Sequence, residues 1–335
     1  MKTKYIIIFL MIIMITPVAI FAENYTESGH GEHGHNGHEG HRDGAFSGMI
    51  QTGGVWMNTT NQLDADSDNK FTKTLNEDAD AYNNIDLFIL FDLRYTLSFG
   101  TQLYLSTPFE DEDPVLACGF VKNFSNGSNI DISAFFEIYR GKIWKDPYLT
   151  NENRSETNVD AYGTAIRYKN IMGTGFSANY KYQIINVDKD IIGEKYFDLK
   201  RDGGIHYAGI EYKFSFEKNH QITPSIEISD GRIDGKSNSF KGFDGKLTYS
   251  WNISSYILEL SGSIGGKEYQ KISPIFNKKR HDKEYGTMGM VMWLNPLGFN
   301  KWIATIGIEY KVSDANINFY DSRTIAIFST IGYQF

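Results

Sequence analysis

From Ala45 to Phe335 the chain alternates apolar and polar residues with a period of two, in segments of 9–15 residues separated by polar or Gly-rich stretches. In 205–216 one set is His206, Ala208, Ile210, Tyr212, Phe214 and Phe216, and the other is Tyr207, Gly209, Glu211, Lys213 and Ser215. In 243–252, Phe243, Gly245, Leu247, Tyr249 and Trp251 alternate with Asp244, Lys246, Thr248, Ser250 and Asn252. A period of two places the sets on opposite faces of a sheet. The segments exceed the soluble mode of about 5–6 residues and suit the about 9–11 that a tilted strand needs to cross a bilayer. A soluble sandwich would alternate as well, so the connections must separate the two cases.

The alternation predicts fourteen strands, near 45–57, 85–97, 100–107, 115–124, 129–140, 158–169, 174–187, 204–216, 220–231, 241–252, 256–268, 283–295, 301–311 and 320–335. Short connections, such as Ser98-Phe99 and Ile253-Ser254-Ser255, alternate with longer polar ones, of which 58–84 is the longest. The expected fold is therefore all-β, a transmembrane antiparallel barrel whose short turns and two termini share the periplasmic side. The even strand count also fits a single-chain bacterial barrel. A content of 32 Gly, 23 Phe and 21 Tyr with 7 Pro favours sheet over helix. The lone Cys118 excludes an internal disulfide, and a net charge of −8 argues against a nucleic-acid partner.

Lys2 and Lys4 precede an apolar run from Tyr5 to Ile15, and Ala22 stands before the first acid, Glu23. This reads as a signal peptide over 1–22, too short and without the flanking charge cluster of a membrane anchor. Residues 23–44 carry almost nothing apolar to bury and read as a flexible periplasmic tail before the barrel at 45–335. The tail holds His30, His33, His35, His38 and His41 among glycines. Such imidazoles suit Zn²⁺, Ni²⁺ or Cu²⁺, with an incidental spacer as the alternative. No cofactor is required by any other motif.

The chain closes with Ile325, Ile327, Ile331, Tyr333 and Phe335 on one face. In hydrocarbon the last strand must pair with the first, because an open edge leaves peptide groups unsatisfied at several kcal/mol each. The stretch FDLRYTLSFGTQLYLSTPFEDED (91–113), the opening FSGMIQTGGVW and the closing aromatic strand resemble the DUF2860 family of uncharacterised bacterial outer-membrane proteins. The resemblance covers Phe46 to Phe335, leaves out the His-rich tail, and implies location and fold but no activity.

If the apolar faces meet lipid, the opposite faces line the lumen. They carry the acids Asp86, Asp92, Asp131, Glu137, Glu211, Glu227, Asp244, Glu259 and Glu309. The bases there are Arg94, Arg167, Lys169, Lys181, Lys213, Lys246 and Lys311. A charge facing mid-membrane lipid costs about 2–4 kcal/mol, so this segregation is required whatever the chain does. Asp64-x-Asp66-x-Asp68 lacks the Gly and Glu of a calcium loop. No Ser or Thr can be singled out beside His206, His220 or His281, the last expected in an outer loop, so no enzyme is indicated. The expected function is a porin-like outer-membrane channel for small polar or charged solutes. The alternative is a non-conducting surface or structural protein. Expected partners are outer-membrane lipid, lipopolysaccharide and the assembly machinery.

Overall fold

The computed structural model describes residues 45–65, 69–77, 79–108, 115–138 and 140–335. Its strands are β1 Phe46–Asn61, β2 Tyr82–Thr96, β3 Thr101–Ser106, β4 Val115–Asn123, β5 Asn129–Glu137 and β6 Gly141–Trp144. They continue with β7 Glu156–Lys169, β8 Phe176–Val187, β9 Gly203–Tyr212, β10 Phe214–Phe216 and β11 His220–Ile233. The last are β12 Phe240–Ile253, β13 Tyr256–Ser273, β14 Lys278–Leu294, β15 Trp302–Ala315 and β16 Ser322–Gln334. β6 continues β5 against β7 with a shifted register, and β10 continues β9 against β11. The sixteen segments thus make fourteen staves.

Each stave pairs antiparallel with its neighbours, and the ring closes where β16 meets β1 from Gln334–Met49 to Ser322–Asn61. Gly48 and Phe335 complete the seam, since their amides each donate to the other's carbonyl at 3.0 and 2.9 Å. Among the described strands no edge remains, which a sheet in hydrocarbon demands. Following register partners once round from Val55 returns to β1 about sixteen residues away, giving roughly 40° of tilt and a backbone cylinder about 27 Å across.

The outer wall follows from the alternation. Ile85, Leu87 and Ile89 on β2 and Ile306 and Ile308 on β15 lie 51–69% exposed, far too open for a soluble protein's apolar residues to form a continuous row. Aromatic residues bound this row. Tyr285 and Trp293 on β14, and Trp302 and Tyr310 on β15, are each eight residues apart, about 20 Å along the axis at that tilt. An apolar band of about that height between aromatic girdles is what a lipid-facing wall requires. Among the described residues no helix is long and apolar enough to cross a membrane; strands are the crossing elements.

The observed strands run longer than the alternation suggested at the long-loop end. β13 extends to Ser273, β14 begins at Lys278 and β15 reaches Ala315. His281 therefore lies in β14 and not in an outer loop. Polar residues such as Lys278–Lys283 break the hydrophobic pattern, yet ladder hydrogen bonds continue above the lipid where apolar alternation is no longer needed.

On the inward face, some aromatic rings lie flat on glycines of the adjoining strand. The Phe328 ring occupies the space a Cβ on its register partner Gly307 would fill, and Phe135 does the same at Gly163. Such a ring covers the wall in place of projecting across the barrel.

Candidate functional site

Asp86, Asp92 and Arg94 stand on β2 at the parity opposite the exposed Ile85, Leu87 and Ile89. Asp86 accepts from Asn84 Nδ2 at 2.8 Å, and Arg94 holds Asp92 through two contacts of 2.8 and 3.0 Å. Arg94 also lies over the Tyr104 ring, whose hydroxyl donates to Asp131 at 2.8 Å; Asp131 faces Arg167 in register. Three strands and their neighbour are thereby linked by one run of charge and ring. Glu137, at the step between β5 and β6, accepts from the Ala161 amide at 3.2 Å.

On the next wall Lys181 rests over the Tyr207 ring at 4.7 Å, and Asn179 reaches across Gly209 to Glu227 at 3.4 Å. Glu227 and Asp244 face each other in register, with Lys246 one inward position along β12. Glu309 and Lys311 form a 3.0 Å pair on β15. Glu259 faces Ser250 on one side and Met290 on the other. Glu211 pairs in register with Ser177, Lys169 with Asn129, and Lys213, between β9 and β10, donates its amide to the Gly175 carbonyl. Among the described residues, acids and bases therefore both recur around the wall.

Sequence reasoning missed two features. One is an apolar sector at the inward parity: Val55, Met57, Met288, Met290, Ala326 and Phe328 cluster together, with Phe88 against them. The parity of Met288 and Met290, shared with Glu284, was the available signal. The other is a packed layer of long loops.

That layer is built from segments remote in sequence. Leu63 and Leu75 from the first loop, Tyr148, Phe276, Ile317, Phe319 and Tyr320 form one cluster. Loop 145–155 thus reaches from the β6–β7 side to the loops flanking β13–β16 and β1. Tyr148 and Tyr320 hydroxyls meet at 2.8 Å, and burial pushes the ionisation of both phenols upward. The Arg154 side chain is fully buried. It stacks on Trp144 at 4.7 Å and donates to the carbonyls of Gln62 (2.9 Å), Pro147 (3.1 Å) and Asn69. Desolvation pushes its pKa down to about 10. Arg201 forks onto Asp190 at 2.6 and 2.9 Å and donates to the carbonyls of Trp144 and Lys145. Further round, Lys200 bridges Asp202 and Asp234, which raise its pKa, and Lys271 pairs with Asp198.

The metal expectation is corrected here. Among the described residues no three His, Cys, Asp or Glu side chains converge to hold an ion. In the pairs above Asp86, Asp92, Asp131 and Glu309 are each held by an amide, arginine, tyrosine or lysine group, and Glu227 and Asp244 face each other only as a pair. His30, His33, His35, His38 and His41 lie outside the described residues, as do Asp66 and Asp68. Asp64 accepts from Asn61 Nδ2 and the Tyr82 hydroxyl, a loop-shaping role. His220 stacks between Phe216 and Trp251 and meets the Tyr249 hydroxyl at 2.8 Å, so it belongs to an aromatic girdle. His206 meets the Tyr180 hydroxyl at 2.7 Å and stacks on Tyr182.

An edgeless antiparallel barrel with a girdled apolar outer wall is the architecture of an outer-membrane β-barrel protein. The chain belongs to the family described as protein of unknown function (DUF2860), whose model matches residues 45–334. No protein of curated function matches it. Among solved structures it is similar to the outer-membrane channel DcaP of Acinetobacter baumannii, at 9% identity over 87% of this chain and 96% of that one, TM-score 0.43. It is also similar to OmpTdeltaL8, a loop L8 deletion mutant of OmpT, an outer-membrane protein of Vibrio cholerae. The identity there is 10% over 85% of this chain and 99% of that one, TM-score 0.39. A bacterial polysaccharide outer-membrane secretin gives 8% identity over 86% and 98%, TM-score 0.44.

Proposed function

We propose that this chain is an outer-membrane channel for passive passage of small polar or charged solutes. The observation that carries the proposal is the width of the closed ring with charge on its inner parity. Eight strands leave room only for packed side chains, whereas fourteen enclose more. Asp86, Asp92, Asp131, Glu137, Glu211, Glu227, Asp244, Glu259 and Glu309 line this lumen together with Arg94, Arg167, Lys169, Lys181, Lys213, Lys246 and Lys311. A solute passing them exchanges water for fixed, mixed charges, with no bond made or broken.

In this reading the short turns and both termini face the periplasm, the long loops face outward, and lipopolysaccharide surrounds the loop end. Residues 1–22 direct export, 23–44 form a periplasmic segment, and the outer-membrane assembly machinery receives the closing strand. Purified folded protein in planar bilayers tests the function: discrete conductance steps are expected. Repeated silence from heat-modifiable, folded protein favours the second reading, a non-conducting surface protein. That reading draws on one observation, the loop layer fastened by Arg154 and the Tyr148–Tyr320 contact.

A further inference from the structure

Seven stations lie at the short-turn end: the joined termini and six hairpin turns. Three of the turns share the same central pair of backbone conformations. Phe99 (φ 60°, ψ 32°) precedes Gly100 (φ 70°), Met172 (φ 52°, ψ 25°) precedes Gly173 (φ 75°), and Leu297 (φ 55°, ψ 20°) precedes Gly298 (φ 83°). Two left-handed residues in succession make a type I′ turn, whose first position ordinarily goes to Asn, Asp or Gly. A large apolar residue is strained there by its own backbone. All three side chains are nevertheless exposed, at 88%, 76% and 80%. An Asn would remove both the strain and the exposed apolar surface.

The turns are firmly held. Asn170 Oδ1 accepts from the Gly175 amide at 2.9 Å, and its Nδ2 donates to Gly127 of the adjoining turn at 2.9 Å. Asn295 Oδ1 accepts from the Lys301 amide at 2.8 Å, and Lys122 Nζ donates to the Phe99 carbonyl. The apolar tips therefore stand on stiff supports.

Their placement is one-sided. Leu297, the paired termini Phe46 and Phe335, then Phe99, the exposed Phe124 and Met172 occupy five consecutive stations. The remaining two turns, Glu217-Lys218-Asn219 and Ser254-Ser255, are polar. The apolar arc lies just beyond the aromatic girdle that includes Tyr95, Phe176, Trp293 and Trp302. We infer that this arc is a lipid-docking edge, seated in the headgroup–acyl boundary of the leaflet on that side. The barrel then sits deeper along the arc than at the polar turns. Continuity with the girdle selects phospholipid as the occupant, since rigid apolar tips beside interfacial aromatics extend the same wetted boundary. The inference rests on the membrane reading of the outer wall.

Nitroxide labels on single cysteines in vesicles of phosphatidylcholine and phosphatidylglycerol test it. The variants are F99C, L297C, K218C and S254C, each on a C118A background. A label on the native Cys118, exposed on the wall, reports embedding. Positions 99 and 297 should be oxygen-accessible and about tenfold less accessible to a water-soluble nickel chelate than 218 and 254. Equal nickel access at all four turns, with Cys118 in lipid, overturns the docking edge alone and leaves a protein partner or bare solvent. Nickel access at Cys118 overturns the membrane reading and the inference together. If a label disturbs a turn, F99W provides a second measurement: quenching by brominated phospholipid supports the inference, and quenching by aqueous iodide instead opposes it.

Discussion

Arg154→Ala should unfasten the loop layer and leave the barrel intact. The guanidinium holds Gln62, Pro147 and Asn69 carbonyls from two loops 85–92 residues away in sequence or close beside it, and stacks on Trp144. Hydrogen bonds from a charged donor contribute roughly 1.5–3 kcal/mol each, and a desolvated cation–π contact about 2. These are not additive, and truncation also strands buried carbonyls. A loss of about 4 kcal/mol is a reasonable net value, corresponding to an approximately thousandfold rise in the open population of the layer. Burial lowers the Arg154 pKa only to about 10, so experiments at pH 7–8 read the charged side chain. Amide hydrogen exchange followed by mass spectrometry is the assay. Peptides within 69–77 and 145–155 should lose about three decades of protection, while 302–315 stays unchanged. Arg154→Lys keeps the charge but lacks the planar fork, and should fall between the two. Protection of both loops within about threefold of the parent chain would refute the reasoning, because the layer would then be held by its apolar cluster alone. In bilayers the same variant should show a larger or more frequently open conductance if the layer restricts the channel.

Ile306, 60% exposed at mid-wall on β15, should not tolerate charge: I306R is expected to lose about 2–4 kcal/mol of folding stability in lipid vesicles, read by denaturant titration. The reverse change, R323I, at an exposed position near the long-loop end of β16, should shift stability by only about 0–1 kcal/mol. Acid should loosen one edge of the loop layer. Arg140 lies 2.6 Å from both Asp160 and Asp188, and its guanidinium holds the Asp188 carboxyl below the usual carboxylate range. The folded pKa is depressed, so this contribution is present above about pH 4 and disappears as pH falls through the depressed value. Protection factors near 186–190, taken against the intrinsic exchange rate at each pH, should therefore fall below about pH 4 in the parent chain, with D188N showing the low protection already at neutral pH. A pH-independent protection factor in the parent chain would remove the contact from consideration.

The stave count, the two-faced alternation and the need for closure were legible in the sequence. Each follows from local rules: a two-residue period assigns faces, polar runs mark connections, and hydrocarbon forbids an unpaired edge. Phe335 could be read as part of a closing strand for the same reason. Strand ends were less legible at the loop side, as β13 to β15 show, because ladder pairing in water no longer imposes apolar alternation. The three apolar type I′ turns were also hidden, since Phe, Met and Leu are poor signals for left-handed backbone.

What the sequence by itself determined about this protein is an edgeless, two-faced β-barrel with apolar residues outward and charges on the other parity. Only the tertiary structure decided which charges meet, that Met57, Met288 and Met290 gather on the inner wall, and that Arg154 clasps Gln62 and Asn69 to loop 145–155. The physical reason is range. Face assignment depends on neighbours along one strand, whereas a clasp or a cluster depends on register and loop paths summed around fourteen staves, which no local pattern encodes.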